Sequence, residues 1–181
     1  IIIFLLPVYY LFQSPYCFVV IHALVCALAI IPLYHLTARY FENRFVPIGI
    51  CLTYFFSRTV NYGLMFYFHL EVFYPLLLFC ILLFYTKEKW SLFYIFIILC
   101  LMVKEDSSIP IIGLGIYLLF SSFKKQGIIV VVIGLLWFVM SVELIIPLYR
   151  SVIGKVDYGF WSYWYEYGLT QKEIIMNMLN P

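Results

Sequence analysis

Residues 99–110, LCLMVKEDSSIP, carry an apolar run into Lys104, Glu105 and Asp106, and a second apolar run resumes at Ile109. A charge held at the centre of a bilayer costs about 2.5–3.5 kcal/mol on the insertion scale. Three in succession must lie at a water interface or line a wet or protein-walled cavity. The flanking runs, 90–103 and 109–120, extend only about 21 Å and 18 Å as helices, short of the roughly 30 Å hydrocarbon core. The stretch therefore reads as the mouth of a helical hairpin. Either its tip is sunk into a water-filled recess, or it is a plain loop at the headgroups in which Lys104 pairs with a neighbouring acid.

Composition sets the frame around this hairpin. The chain is 66% hydrophobic, 22% aromatic and 11% charged, with a mean hydropathy of +1.04. A soluble domain carries about 25% charged residues, so the reading is an integral membrane protein. The net charge of +2 and the lack of a basic run with interleaved aromatics give nucleic acid no purchase. Cys17, Cys26, Cys51, Cys80 and Cys100 all sit inside apolar runs without metal-type spacing and read as small buried hydrophobes.

The fold class expected is an all-α polytopic membrane protein with about 6–7 hydrophobic helices, some short or re-entrant. The run 1–12 is too short to span alone. The run 16–38 is a full span, 45–56 is short, and 72–86 and 90–103 lead to the charged triplet. The run 109–120 leads away from it, and 127–147 is again a full span. The chain opens on IIIFLLPVYY and closes on MLNP as a new segment begins, so both ends are expected to be cuts from something longer. Residues 1–147 read as a transmembrane core and 148–181 as an extracytoplasmic aromatic segment. Placing the turns of Arg39/Arg44, Lys87/Lys89 and Lys124/Lys125 on the cytoplasmic side satisfies the basic-residue bias and leaves the acidic segments outside.

On that outer side lie Arg58, His69, Glu71, Lys104, Glu105, Asp106 and Glu143. The segment 57–71, SRTVNYGLMFYFHLE, is too polar to face lipid and too apolar for a free loop, which fits re-entrant or surface-lying structure. Glu143, one turn before Pro147, is a carboxylate within a span and so a functional candidate. His69 and Glu71 share a face only in extended chain. They can be read as divalent-metal ligands with Asp106, as a polar site without metal, or as ordinary interface polarity. His22 and His35 read as packing or interface residues. The aromatic run around 158–167, YGFWSYWYEY, reads as a membrane-interface belt. Nucleotide-binding and serine-hydrolase motifs are absent from the sequence.

The order of LLPVYYLFQSPYCFVVIHALVCALAIIPLYHLTARYF, FHLEVFYPLLLFCILLFY, LMVKEDSSIPIIGLGIYLLF and GLLWFV…IIP resembles a bacterial and archaeal membrane family, domain of unknown function 2079, over essentially the whole chain. Its most specific pieces are FHxE at 68–71 and KED at 104–106. Leu70 stands where that family often has proline. The family in turn resembles C-type membrane glycosyltransferases, which take lipid-linked sugars at the outer face of a prokaryotic plasma membrane. In those enzymes an acid of the first outer loop commonly serves as base or metal ligand. That loop would precede Ile1, so no residue of this chain inherits its role.

Expectation for function follows from the residues and the resemblance together. A glycosyltransferase-like protein would use a polyprenyl-phosphate-linked sugar. Glu71 or Asp106 would take the acceptor proton, and Lys104 or Arg58 would supply positive charge. His69, Glu105 and Glu143 would help bind substrate, with membrane lipids as neighbours. The alternatives are a transporter or lipid flippase with Lys104, Glu105, Asp106 and Glu143 along its path, and a non-catalytic membrane subunit.

Overall fold

The computed structural model describes residues 5, 7, 10–14, 16–58, 60, 68–148 and 176. Seven α-helices follow one another among them: α1 Tyr16–Leu28, α2 Ile30–Thr37, α3 Phe45–Phe55, α4 Phe73–Thr86, α5 Trp90–Leu101, α6 Ser108–Phe120 and α7 Lys124–Val139. Single 3₁₀ turns, Leu70–Val72 and Glu105–Ser107, lead into α4 and α6, and a π-helical stretch, Met140–Ile145, continues α7. No strand occurs among the described residues. The aromatic segment expected over 148–181 falls almost wholly outside them.

Proline shapes the helices in a consistent way. Pro47, Pro75 and Pro110 each occupy the third position of their helix, where the missing N–H has no intrahelical acceptor to lose. Pro32 has the same place in α2, but α1 precedes it directly. Its ring cannot bond the Leu28 carbonyl four residues back, which explains the break at Ala29. The backbone bonds Ala29 N–H to Val25 O and Leu33 N–H to Ala29 O continue through the break. One kinked span of 22 residues, Tyr16–Thr37, results. Pro147 likewise cannot bond the Glu143 carbonyl four residues back, at the end of the π-helical register.

The helices pair as antiparallel hairpins. In α3 the Cys51 thiol approaches the Ile30 carbonyl at 3.9 Å, and the Tyr54 hydroxyl donates to Cys26 O at 3.4 Å. The α4–α5 turn closes with Glu88 N–H on Tyr85 O and Lys89 N–H on Phe84 O, both at 3.0 Å. Glu88 sits at φ 54°, the left-handed residue of a Schellman end. The closest pair is α6 with α7, and glycine makes it so. A β-carbon at Gly127 would fall 2.8 Å from the Leu119 backbone nitrogen, and one at Gly115 would fall 2.8 Å from that of Val131. Small residues allow such backbone approach between apolar helices that have no hydrophobic gain in lipid to draw them together.

The two ends of the bundle differ chemically. Trp90 and Tyr85 meet Phe123 with ring centroids 4.9 and 5.8 Å apart, so the turns bearing Lys87, Lys89 and Lys124 share one aromatic, basic end. The charged triplet and Glu71 share the other. Between them lies a core of Leu77, Ile81, Phe93, Ile97, Leu101, Ile111, Leu118 and Val130. Leu24, Ile31, Ile95, Ile98, Leu136 and Val139 are exposed along the flanks, as a lipid-facing surface requires. Two helices are long and apolar enough to cross a bilayer, Tyr16–Thr37 and Lys124–Leu148. The others are shorter, as the sequence suggests for the arms of the charged hairpin.

The glycine contacts give a discriminating pair of substitutions. Gly127→Ala forces α6 and α7 apart and should destabilise by about 1–3 kcal/mol. Gly113, whose β-carbon would meet nothing within 4 Å, should tolerate alanine and gain up to about 1 kcal/mol of helix propensity. Thermal unfolding of the two variants in the same detergent or nanodisc checks the contrast.

Candidate functional site

The site forms where two helices are entered from extended residues. His69 (φ −119°, ψ 141°) precedes the turn Leu70–Val72, and Lys104 (φ −159°, ψ 163°) precedes Glu105–Ser107. The second of these turns is held from below. The buried Ser107 hydroxyl is shared between the carbonyls of Lys104 and Leu101, and Ser108 donates to Glu105 O at 2.8 Å. Carbonyls at the end of α5 are thereby satisfied, and the KED segment is fixed as it leaves the membrane helix.

Lys104 Nζ then reaches across to Glu71. It donates to Oε1 at 2.8 Å and lies 3.8 Å from Asp106 Oδ2. The other Asp106 oxygen, Oδ1, accepts from the Tyr74 hydroxyl at 2.7 Å. Glu71 Oε2 faces His69 Nδ1 at 3.9 Å, a contact longer than a hydrogen bond. The pairing decides how these groups titrate. Burial raises the Glu71 carboxyl, but the Lys104 hydrogen bond, its own backbone bond and the nearby charges outweigh that and hold it below the ordinary 4.5. The Glu71 hydrogen bond raises Lys104 above the ordinary 10.5 against a smaller opposing effect of burial. Both groups are charged throughout the neutral range.

A cavity of about 220 Å³ opens on the other side of Glu71, with His69, His22, Cys26 and Tyr54 among its walls. Phe68 of the FHxE motif turns its ring against Phe18 (5.2 Å) and across the edge of His22 (6.2 Å, 80°). The motif thus anchors to α1 through its phenylalanine and presents its histidine and glutamate to the cavity and to Lys104.

The residues singled out in the sequence separate into two groups. Glu71, His69, Lys104 and Asp106 come together, and Glu105 adds its charge beside Lys104. Arg58 is exposed, and the described residues supply it no ion pair. Glu143 is exposed on the π-helical stretch and also lacks an ion pair among them. Tyr74 was missed, although it stands three residues after Glu71 on the first turn of α4. His22 was read as packing, and nothing in an apolar helix marks which residue will face a cavity.

The donor set His69, Glu71 and Asp106 does not fit a divalent metal as arranged. The lysine ammonium occupies the space between the two carboxylates, and no group of three or more metal-donor side chains converges among the described residues.

The family comparison agrees with the apolar helices. A family described as "Predicted membrane protein (DUF2079)" matches residues 1–180, and the chain belongs to that family. No curated protein and no solved structure gives a significant match.

The titration of the pair fixes a pH window. Glu71 contributes stability above pH 4.5 and loses it as pH falls through its lowered folded value. Lys104 contributes below pH 10.5 and loses it as pH rises through its raised value. Both side chains are about 40% exposed, so solvent screening limits the coupling to about 0.2–1 kcal/mol. A double-mutant cycle of Glu71→Gln and Lys104→Met should give that coupling at pH 7 and none at a pH acid enough to protonate Glu71 in the folded protein. Equal coupling at both pH values would remove the ion pair from the account.

Proposed function

We propose that the chain is the core of a membrane-embedded transferase that moves a sugar from a polyprenyl-phosphate carrier to an acceptor hydroxyl at the extracytoplasmic face. One observation carries the reading. Glu71 lines a cavity at the polar end of an apolar helical bundle and is held there, ionised, by Lys104. A carboxylate fixed in charge and direction at the edge of a cavity is what proton removal from an incoming hydroxyl requires.

In the proposed reaction the acceptor oxygen attacks the anomeric carbon. The bond from that carbon to the carrier phosphate oxygen breaks, and its electron pair leaves with the polyprenyl phosphate. The acceptor proton passes to Glu71. A carboxylate held below its ordinary range is a weak base, so it takes the proton late, when the new bond has already made the hydroxyl acidic. Lys104 keeps Glu71 ionised and aimed. Asp106, fixed by Tyr74, supports Lys104 from its other side. Because Lys104 is engaged by both carboxylates, the exposed guanidinium of Arg58 is the cation assigned to the carrier phosphate. Arg58 lies two residues from Val60, which lines the cavity. The cytoplasmic placement of the basic, aromatic end follows from the positive-inside bias.

The test uses the full-length protein in nanodiscs with a panel of polyprenyl-phosphate sugars and separated acceptors. Glu71→Gln should fold and lose transfer by at least about 10²-fold. Asp106→Asn should lose less, because it acts through Lys104. Full transfer by both folded variants would exclude these carboxylates from the chemistry.

A further inference from the structure

His22 is the most buried ionisable side chain of the first span, at 5% exposure. It stands one and a half turns into α1, and its ring lines the cavity on the Glu71 side. The Phe68 ring packs across its edge and offers no acceptor for an N–H. Among the described residues no hydrogen bond satisfies the imidazole. Because the residue lines the cavity, its ring nitrogens can bond what enters there.

The other described walls narrow what the ring would meet there. Glu71 and His69 stand at the rim. Tyr54 adds a phenol, and Val60, Val72 and Pro75 add apolar surface. Among the described walls there is no lysine or arginine: the ammonium beside Glu71 is held by two carboxylates, three acids of this end face one lysine, and Arg58 lies outside the walls. An anionic group would meet the Glu71 charge directly. A neutral group with several hydroxyls and C–H faces would instead find acceptors, donors and apolar wall together. The volume of about 220 Å³ equals the share of about seven liquid waters at roughly 30 Å³ each. That is room for one ring-sized polyol.

We infer that this cavity is a binding subsite for a single uncharged sugar ring, with His22 as its hydrogen-bonding floor and Glu71 at its rim. The choice of a sugar over other polyols rests on the transfer reading. His22 acts here as a ligand-binding and specificity residue contributed by α1, an element that carries none of the charged motifs.

Binding is measured apart from turnover, with the full-length protein in nanodiscs and methyl glycosides of common hexoses as probes. Saturation-transfer NMR reads contact, and glycerol 3-phosphate serves as the anionic comparison. At least one methyl glycoside should bind saturably and displace no anion. His22→Phe keeps the ring packing on Phe68, removes both nitrogens, and should weaken that binding at least tenfold. Val60→Trp fills the cavity while leaving the His22 side chain in the protein and should weaken it similarly, which guards against a folding defect in the first variant. Unchanged glycoside affinity in both folded variants would overturn the inference. So would tighter binding of glycerol 3-phosphate than of any glycoside, or failure of every glycoside to bind a protein that transfers sugar. Binding that depends on His22 in a protein without transfer activity would uphold the subsite and sink the transferase.

Discussion

A single ammonium held between two carboxylates organises the polar end of this protein. Lys104 reaches Glu71, 33 residues away in the chain, at 2.8 Å and stands 3.8 Å from Asp106. Alone near hydrocarbon, each of these groups would be expensive. Together they tie the entry of α4 to the exit of α5, so the mouth of the hairpin is closed by charge as its far turn is closed by backbone bonds. The same ammonium takes the place that a divalent cation would need between Glu71 and Asp106. Glu71, Glu105 and Asp106 around one lysine also leave this charged cluster net acidic.

The apolar frame fixes where that clamp can sit. Prolines in the first turns set the helix starts beside both extended residues, His69 by way of α4 and Lys104 by way of α6. The glycine contact of α6 with α7 keeps the second hairpin tight, and Ser107 and Ser108 bind the KED turn to the end of α5. The cavity then lies between α1 and the FHxE turn, roofed by the rim that Lys104 holds. Chemistry and packing are thus separable: the charged motifs belong to α4, α5 and α6, while the cavity floor belongs to α1.

Much of this arrangement was legible in the sequence. Charges and prolines end apolar runs on energetic grounds, so the runs 72–86, 90–103 and 109–120 match α4, α5 and α6 to within two residues. The hairpin mouth at Lys104 and the approach of the two motifs follow from the same costs. What escaped is non-local. Tyr74 joins Asp106 across 32 residues, and His22 meets the cavity from a helix apolar on every face, where periodicity gives no inward direction. Arg58 and Glu143 carry the residue types of a site, yet their positions on exposed surface could not be read from type alone. Leu70 in place of the common proline does not prevent a turn, since Leu70–Val72 forms a 3₁₀ turn without it.

The most direct test is the proximity of positions 71 and 104 in the membrane. Cysteines replace Glu71 and Lys104 in the full-length protein with the five native cysteines removed, and a short bifunctional thiol reagent is applied to native membranes. The account expects an intramolecular cross-link between the two, visible after proteolysis between them, and loss of the link when either cysteine is absent. Cysteines that each react with a monofunctional thiol reagent but never join would show that the clamp does not exist in the membrane, and the site built on it would fall.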